Sequence, residues 1–314
     1  MKNVITFDVG GTNIRAARFF DYQQEPNAQI KTPTISDTYT PLQQIIRMAE
    51  QLWPESGTLD GIAVAAPGFI DASTGIVISA ANVPGWTDLP LKEEMEKALK
   101  VPVVINNDAR MAAFGEWSAG AGRGYSHMIY LTVSTGIGGG VIIDNRLLNG
   151  ARGLATELGH ITLEPNGPVC SCGKRGHLEA LASGQGIERF VIERLKNGAE
   201  SELNLSNKIS ARTIAEAAQH GDLLSREAFE MAGYYLGIGC AGFLHTFNPD
   251  ALIIGGGVSF SGELLFNPFL KSLREQVMDA EYLSKVDIMP AKLGDNAGLI
   301  GAMLYLREQL QLIG

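Results

Sequence analysis

The sequence predicts an α/β fold with partly parallel sheets, built as two similar halves with a cleft between them. A strand, a glycine-rich loop and a second strand occur together twice, at 4–20 and at 128–143. Short apolar segments at 60–68 and 101–106 alternate with helical patterns. That alternation is typical of parallel sheets covered by helices. The helical patterns lie at 89–99, 108–119 and 222–245.

Size and composition indicate a soluble protein with a large core. The chain has 314 residues, of which 45% are hydrophobic, and this length favours two domains. A net charge of −9 argues against general binding to nucleic acids or membrane surfaces. No run of about 18 apolar residues predicts a membrane span, and the first residues do not resemble a signal peptide. Three cysteines are too few for a disulfide framework, so we expect a cytoplasmic protein.

The first glycine-rich loop lies in the segment "NVITFDVGGTNIRAARFF" at 3–20. Val4 to Phe7 are predicted as a strand, Gly10 and Gly11 as a turn, and 14–20 as the returning strand. A dinucleotide-binding fingerprint would place a helix directly after the glycines, so that motif is excluded. Without Cβ atoms, such a turn lets backbone N–H groups approach an anionic oxygen. An ordinary hairpin turn is the alternative interpretation.

Further glycine clusters follow in "STGIGGG" at 134–140, "IIGGG" at 253–257 and "GDNAG" at 294–298. No G-x-x-x-x-G-K-[ST] sequence is present, which excludes a P-loop nucleotide site. Small residues cluster near 115–125 and predict a domain boundary there. The expected domains are 1–118 with 300–314, which is the smaller, and 119–299, which is the larger.

Two cysteines and a histidine lie close together in "VCSCGKRGHLEA" at 169–180. A pair separated by one residue makes a poor disulfide. Close cysteines in a cytosolic protein more often bind metal or carry redox chemistry.

Taken in order, these motifs resemble the ROK family of sugar kinases. The resemblance also includes "APG" at 66–68, "NVPGW" at 82–86, "NNDAR" at 106–110 and "ELGH" at 157–160, and it covers essentially the whole chain. Each glycine cluster alone is a weak signal, but the combination is specific. The resemblance implies an actin/hexokinase/Hsp70-type (ribonuclease H-like) fold with two domains closing over a cleft. Within the family the sequence is most similar to bacterial ATP-dependent glucokinases, which implies conversion of glucose to glucose 6-phosphate.

Asp108 is the predicted general base. A sugar hydroxyl is a poor nucleophile, so a kinase needs a carboxylate that accepts its proton during phosphoryl transfer. Asp108 lies where a predicted strand ends and a helix begins, and the resemblance assigns the family's base to this position. Its alternative role is that of a helix N-cap. Asn107 is expected to bind sugar hydroxyls.

The resemblance also implies further sugar-binding residues. Paired polar groups suit the vicinal hydroxyls of a sugar. For the glutamates, the alternative is a solvated surface carboxylate. These residues are Glu157, His160 and Glu179, with Asn82 and the backbone at Gly68 as weaker candidates.

The resemblance assigns ATP to the glycine-rich loops. Backbone N–H groups and Mg²⁺ neutralise phosphate charge during transfer. Asp8 is expected to act through the waters of Mg²⁺, because that ion keeps part of its hydration shell. The nucleotide residues are Asp8, Gly10, Gly11 and Thr12 in the first loop, Thr135, Gly136 and Gly138 in the second, and Gly255, Gly256, Gly257 and Gly294 around the adenosine.

Family members with the cysteine segment hold a structural zinc through one histidine and three cysteines. Here His177 occupies the position of the third cysteine, so this sequence departs from the pattern at one ligand. Zinc accepts imidazole and thiolate alike, and we predict a site formed by His160, Cys170, Cys172 and His177. A vestigial loop with free cysteines is the alternative.

Three other functions are alternatives to a glucokinase. A kinase for N-acetylmannosamine or another hexose of the same family would use the same mechanism. The family also includes sugar-responsive repressors, but the first strand begins by residue 4, which predicts no preceding DNA-binding domain. A non-catalytic sugar sensor is disfavoured because Asp108 and both loops are present. We expect a homo-oligomer, a dimer or tetramer, without nucleic-acid or membrane partners.

Overall fold

The computed structural model describes residues 2–313. The chain forms two compact units. The first unit contains the chain up to Gly124, the segment Gly140–Thr156 and the chain from Lys292 onward. The second unit contains Tyr125–Gly139 and Glu157–Ala291. Each unit is therefore built from segments that are distant in sequence.

Strands and helices alternate along most of the described chain. The strands are β1 (Asn3–Val9), β2 (Asn13–Phe20), β3 (Ala28–Pro33), β4 (Leu59–Ala66), β5 (Phe69–Asp71), β6 (Ile76–Ser79), β7 (Thr87–Leu89), β8 (Val103–Asn107), β9 (Met128–Val133), β10 (Ile137–Ile143), β11 (Arg146–Leu147), β12 (Ala251–Gly255) and β13 (Asp287–Pro290). The helices are α1 (Pro41–Gln51), α2 (Leu91–Leu99), α3 (Asp108–Ala119), α4 (Leu178–Ala182), α5 (Gly184–Lys196), α6 (Ala211–His220), α7 (Leu223–Phe247), α8 (Glu263–Gln276), α9 (Glu281–Ser284) and α10 (Ala297–Ile313). Short 3₁₀ turns occur at Leu158–His160, Gly257–Ser261 and Gly294–Asn296.

The main sheet of the first unit has the strand order β3-β2-β1-β4-β8. β1 and β2 form an antiparallel hairpin, whereas β1, β4 and β8 run parallel to one another. Parallel strands need long crossover connections, and α1 and α2 lie in the two that join β1 to β4 and β4 to β8. The carboxyl ends of these strands therefore lie at one edge, where α/β folds present binding groups.

The core of the first unit is a continuous apolar cluster. Phe7 and Ile14 of the hairpin are fully buried, as are Ile62 and Val64 of β4. β4 is buried on both faces, which fits its nearly continuous apolar sequence. Trp86 also joins this cluster, so the loop that carries Asn82 is anchored to the core.

α3 and α10 pack against each other in the first unit. A Cβ at Gly301 would lie 1.8 Å from the carbonyl oxygen of Met111, and a Cβ at Gly115 would lie 2.6 Å from that of Ala297. Atoms that are not bonded to each other do not approach this closely. The two glycines therefore allow the helix backbones to touch. This contact fixes α3, the helix that begins at Asp108.

The second unit is centred on β9, with β12 parallel to it and β13 parallel to β12. Its longest helix, α7, packs on α8 and also contacts α4, α5 and α6. Gly233 and Gly237 give α7 and α8 their close approach, because a Cβ at either position would lie within 2.6 Å of an α8 side chain. The helices thus form one packed layer around α7.

The predicted elements agree with the structure apart from small shifts at their ends. Both strands of the first hairpin, β4, β8 and α3 are confirmed. The helix predicted at 89–99 begins instead at Leu91, because residues 87–89 form β7 and Pro90 precedes the helix. α7 begins after Asp222, whose carboxylate accepts a hydrogen bond from the Ser225 N–H.

Among residues 2–313, no helix combines the length and apolar character needed to cross a lipid bilayer.

Candidate functional site

Residues 10–12, the predicted first phosphate loop, are held through hydrogen bonds that their carbonyl oxygens accept. Thr34 donates its hydroxyl to the carbonyl of Gly10 at 2.5 Å and its N–H to the carbonyl of Thr12 at 2.9 Å. Thr34 is fully buried. Gln44 of α1 in turn donates to the Thr34 carbonyl at 2.9 Å. Thr34 and Gln44 therefore hold the loop in place, and the sequence analysis singled out neither residue.

Steric crowding explains why glycine occupies position 11. A Cβ at Gly11 would lie 2.9 Å from the Cβ of Asn82. Residues 10–12 and Asn82 are thus immediate neighbours.

Asp8 lies opposite Arg15 across the first hairpin. The Arg15 guanidinium forms an ion pair with the Asp8 carboxylate and also donates to the carbonyl of Asp295. Both side chains are about one-fifth exposed, at 22% and 21%. A hydrated Mg²⁺ bound to Asp8 would therefore share this carboxylate with Arg15. The register of the hairpin is the sequence signal that could have identified Arg15.

Asn107 is the N-cap of α3. Its Oδ1 accepts hydrogen bonds from the N–H groups of Ala109 and Arg110 at 3.0 and 3.2 Å. Asp108 is the first residue of the helix, and its Oδ1 accepts from the Ala109 N–H at 2.8 Å. The alternative role of Asp108 as N-cap is therefore wrong, because the preceding residue performs it.

Asn107 also connects the helix start to the loop after β4. Its Nδ2 donates to the carbonyl of Gly68 at 3.2 Å. Gly68 has φ +85°, and a Cβ there would lie 2.2 Å from the Ser79 carbonyl oxygen, so no other residue fits. Both polar atoms of the Asn107 side chain, Oδ1 and Nδ2, form hydrogen bonds within the protein. The structural role of Asn107 is therefore to position Asp108.

Arg110, the last residue of "NNDAR", is 1% exposed. Its Nη1 donates to the carbonyl of Gly153, and to that of Ala155 at 3.4 Å. Asn106 likewise donates to the Asn149 side chain at 3.0 Å. These bonds fix the segment 149–155, which leads into the "ELGH" motif.

The second phosphate loop, residues 134–138, is held on two sides. The N–H groups of Gly184 and Gln185 donate to the carbonyls of Ser134 and Thr135 at 2.8 and 3.2 Å. On the other side, Oε2 of Glu179 accepts from the Ile137 N–H at 3.1 Å. Gly138 lies inside β10. Each bond fixes the loop backbone rather than a side chain.

A cavity of about 640 Å³ opens beside this loop. Thr135 and Gly257 line it, which brings two of the predicted nucleotide clusters together in the second unit. The volume suits a nucleotide-sized ligand. Residues that the sequence analysis missed also line it, and no motif indicated them: Gly184, Glu188, Ser210, Arg212 and Phe260.

The third glycine cluster follows β12. Gly256 has φ +87°, and a Cβ there would lie 2.4 Å from the Val133 carbonyl oxygen. A Cβ at Gly255 would lie 2.9 Å from the hydroxyl of Tyr130. Both glycines therefore permit close packing of β12 against β9. Gly294 belongs to the first unit, whereas Gly255–Gly257 belong to the second.

The predicted metal ligands lie together in the metal loop, residues 160–177. The donor atoms of His160, Cys170, Cys172 and His177 are all within 4.8 Å of one another. Nδ1 of His160 is 3.5 Å from Sγ of Cys170, and Nδ1 of His177 is 3.3 Å from Sγ of Cys172. Gly176 has φ +68° and contacts the Glu164 backbone so closely that only glycine fits.

These four residues fit a structural zinc. Nitrogen and sulfur ligands around a tetrahedral zinc are about 3.3 to 3.8 Å apart. Both nitrogen–sulfur distances fall within that range, and the widest separation, under 4.8 Å, requires a contraction of about 1 Å. The bulk of the His177 imidazole does not prevent the cluster from assembling.

Burial shifts the pKa values of two of these ligands. Burial, with a contribution from Glu179, raises the pKa of the Cys170 thiol to about 11. Burial and the neighbouring charge of His160 lower the pKa of His177. His177 is therefore held in the neutral form that binds metal, whereas Cys170 has to lose a proton when it does so.

The predicted sugar ligands of the second unit lie close to the metal loop. Glu157 immediately precedes the 3₁₀ turn Leu158–His160, and its carbonyl accepts from the His160 N–H at 3.0 Å. Glu179 lies in the first turn of α4, two residues after His177. Its carboxylate contacts both the metal loop and the second phosphate loop.

Comparison with known proteins agrees with these motifs. The ROK family model matches residues 4–309. The glucokinase of Thermotoga maritima is 39% identical over 256 residues, which are 79% of this chain and 80% of that protein. The glucokinase of Streptomyces coelicolor is 33% identical over 98% of both chains.

The chain belongs to the ROK family.

Solved structures show that this ROK protein has the actin/hexokinase-type fold of the family. A ROK glucokinase from Streptomyces griseus, in complex with glucose and AMPPNP, matches 98% of the chain and 99% of its own, with a TM-score of 0.84 and 33% identity. A ROK hexokinase from Thermus thermophilus matches the same shares, with a TM-score of 0.81 and 34% identity. The predicted family and fold class are confirmed.

Other members of the family bear on the alternative functions. A putative N-acetylmannosamine kinase from Listeria monocytogenes is 26% identical to this ROK protein over 98% of the chain, with a TM-score of 0.78. The xylose repressor of Bacillus subtilis is 36% identical over 246 residues, which are 77% of this chain and 60% of the repressor. The family thus contains both kinases and regulators.

Proposed function

We propose that this ROK protein is an ATP-dependent hexokinase whose preferred substrate is glucose and whose product is glucose 6-phosphate. The observation that carries the proposal is the similarity to named glucokinases, at 33% identity over 98% of the chain in one case and 39% over 79% in another. The glucose and AMPPNP complex of the similar Streptomyces griseus protein supports both substrates.

In the proposed reaction Asp108 is the general base. The oxygen of the sugar 6-hydroxyl attacks the γ-phosphorus of ATP, its proton passes to the Asp108 carboxylate, and the bond to the β,γ-bridging oxygen breaks to release ADP. Asn107 caps α3 and bonds to Gly68, so it holds Asp108 in place. Each unit has a distinct task in this proposal: the first supplies the base and the first phosphate loop, and the second supplies the other phosphate loop.

The nucleotide is proposed to bind at the 134–138 loop and in the cavity beside it. Thr135 and Gly257 line this cavity, and the phosphate-binding loops offer backbone N–H groups to the phosphates. Asp8 would hold a hydrated Mg²⁺, which when bound neutralises charge on the phosphate oxygens. Arg15, paired with Asp8, would balance the carboxylate charge when no metal is present.

For the sugar we propose Glu157, His160 and Glu179 as ligands, with Asn82, Asn107 and Gly68. His160 can serve two partners, because a metal would occupy Nδ1, the nitrogen that faces Cys170, and leave Nε2 for a hydroxyl. Zinc in the metal loop is proposed to be structural, since four protein ligands leave no open position for water.

The proposal also includes the domain boundaries, the cellular location and the oligomeric state. We propose that the domains are 1–118 with 300–314 and 119–299, which differ from the two compact units in the placement of 119–124, 140–156 and 292–299. We also propose that the protein is a cytoplasmic homo-oligomer, a dimer or tetramer. Reduced cysteines grouped around a metal site support a reducing compartment.

N-acetylmannosamine is the alternative substrate, favoured by the similar Listeria monocytogenes protein. The mechanism would be the same with a different acceptor.

ADP release from Mg-ATP tests the proposal on glucose, N-acetylmannosamine, N-acetylglucosamine and fructose. We expect the highest kcat/KM on glucose, and a loss of about 10² to 10⁴ in kcat in Asp108→Asn. Asp37→Asn, an exposed aspartate in the same unit, is the matched control and should retain full activity. Preference for another sugar would change the substrate only, and absence of ADP release with every sugar would refute the kinase.

A further inference from the structure

Glu179 connects two loops through its two carboxylate oxygens. Oε1 accepts a hydrogen bond from Ser171 Oγ at 2.6 Å, in the metal loop. The protonated Cys170 thiol also donates to Oε1 at 3.2 Å, and metal binding would remove this second bond and leave the one from Ser171. Oε2 accepts from the Ile137 N–H of the second phosphate loop at 3.1 Å. One carboxylate therefore fixes the distance between the metal loop and the phosphate loop.

The short helix α4 makes a second connection between the same loops. Its N-cap is the metal ligand His177. Directly after its last residues, Gly184 and Gln185 donate to the carbonyls of Ser134 and Thr135 at 2.8 and 3.2 Å. Ser183, which separates the last residue of α4 from Gly184, is fully buried. The helix is thus attached to the metal loop at one end and to the phosphate loop at the other.

Close packing makes these connections stiff. A Cβ at Gly136 would lie 2.4 Å from Oε2 of Glu179, so the loop backbone lies directly against the carboxylate. Within α4, Leu178 and Ala182 are fully buried. A buried five-residue helix held by bonds at both ends has little freedom to move independently of either loop.

We propose that the metal centre and the second phosphate loop are energetically coupled through Glu179 and α4, and that Ser171 is a positioning residue for nucleotide binding. Metal binding fixes Cys170 and Cys172, which flank Ser171, and His177, which is the N-cap of α4. It thereby orders the groups that hold the Ser134, Thr135 and Ile137 backbone. This inference rests on the proposed nucleotide site at that loop.

Coupling between two sites is reciprocal. If metal strengthens nucleotide binding by a given factor, nucleotide strengthens metal binding by the same factor. Couplings of this kind are typically about fivefold or more. A zinc that was not coupled to the phosphate loop would leave the AMPPNP affinity of the folded protein unchanged.

The experiment measures binding and needs no turnover. AMPPNP affinity is determined by calorimetry for zinc-loaded protein and for protein stripped by a chelator, with circular dichroism to verify that the stripped protein stays folded. In parallel, zinc affinity is measured by chelator competition with and without AMPPNP. We expect about fivefold weaker AMPPNP binding without zinc and an equal factor in the reverse measurement.

Ser171→Ala tests the connection while keeping all four metal ligands. We expect it to retain zinc and to fold, but to bind AMPPNP less tightly and to show a reduced coupling factor. Ser206→Ala, an exposed serine of the same unit, is the matched control and should behave as the wild type.

Equal AMPPNP affinity with and without zinc would overturn the inference and leave the proposed kinase intact. Wild-type coupling in Ser171→Ala would overturn the role of Ser171. Failure of every form to bind AMPPNP would overturn the nucleotide site itself, and the inference with it.

Discussion

Asn107 and Asp108 are adjacent residues of similar size with different tasks. The Asn107 side chain accepts from two backbone N–H groups of α3 and donates to the Gly68 carbonyl. An asparagine can do both because its amide carries a donor and an acceptor. Capping by the neighbour leaves Asp108 in the first turn of α3, where the helix dipole favours a negative charge.

Asn107→Ala should lose both functions of this side chain. We expect a loss of about 1 kcal/mol in the free energy of unfolding from the missing cap, together with lower kcat. Asn107→Ser keeps a capping oxygen but loses the amide NH₂ group that donates to Gly68. Its stability should therefore be near that of the wild type, while kcat still falls. Urea unfolding and steady-state kinetics separate the two effects. Full activity in Asn107→Ser would show that the bond to Gly68 is not needed.

Proton release at Cys170 predicts how zinc binding depends on pH. Because burial raises the pKa of this thiol to about 11, the metal-free protein carries the proton at neutral pH. Zinc binding displaces it, so zinc affinity should rise with pH between 7 and 8, by about tenfold for each proton released. Chelator competition at the two pH values measures this. Cys240→Ser, which removes a buried cysteine outside the metal loop, should show the same pH dependence, and a pH-independent affinity would contradict the prediction.

At the scale of elements, backbone contact between helices decides which glycines are irreplaceable. Gly115 and Gly301 lie where α3 and α10 touch. By contrast, Gly242 in α7 has no atom within 4 Å of a Cβ placed there. All three glycines lower helix propensity to the same extent, but only Gly115 and Gly301 are required by packing.

Gly301→Ala should therefore destabilise the protein. Its Cβ would lie 1.8 Å from the Met111 carbonyl oxygen, so α10 has to shift, at a cost of about 1 to 3 kcal/mol or more. The matched substitution Gly242→Ala should instead be neutral or stabilise the protein by up to about 1 kcal/mol. Thermal unfolding of both variants gives the comparison. Equal unfolding temperatures would show that the two helices can separate at no cost.

At the scale of the whole molecule, Glu116 binds the backbone near two of the four places where the chain passes between the units. Its carboxylate is fully buried. It accepts from the N–H of Ala121 at 2.8 Å, and from those of Lys292 and Leu293 at 2.9 and 2.7 Å. These residues lie near two of the four crossings between the units, the one after Gly124 and the one before Lys292.

Glu116→Gln should be strongly destabilising. An amide offers one acceptor oxygen and turns an NH₂ group toward donors, and a lost bond to a charged group costs about 1.5 to 3 kcal/mol. We expect a loss of about 3 kcal/mol in the free energy of unfolding. Glu50→Gln, at an exposed position of α1 in the same unit, should change it by less than about 0.5 kcal/mol. A loss below 1 kcal/mol in Glu116→Gln would show that the carboxylate is not needed.

Local sequence was sufficient for several of the elements, whereas the grouping of the four metal ligands came from the family resemblance. The hairpins, β4, β8 and α3 follow from apolar periodicity and glycine positions, which act over a few residues. The four metal ligands lie within 18 residues of one another, at 160–177, so a single folded loop brings them together. Family resemblance added the identity of Asp108 and of the phosphate loops.

Only the tertiary structure decided which groups support these residues. Thr34, which holds the first phosphate loop, Arg110, which holds 153–155, and Glu179, between two loops, depend on contacts between segments that local patterns do not relate. The same holds for Glu116, which contacts residues about 176 positions away. Burial and long-range hydrogen bonds are properties of the assembled fold, because they require distant parts of the chain to exclude water together.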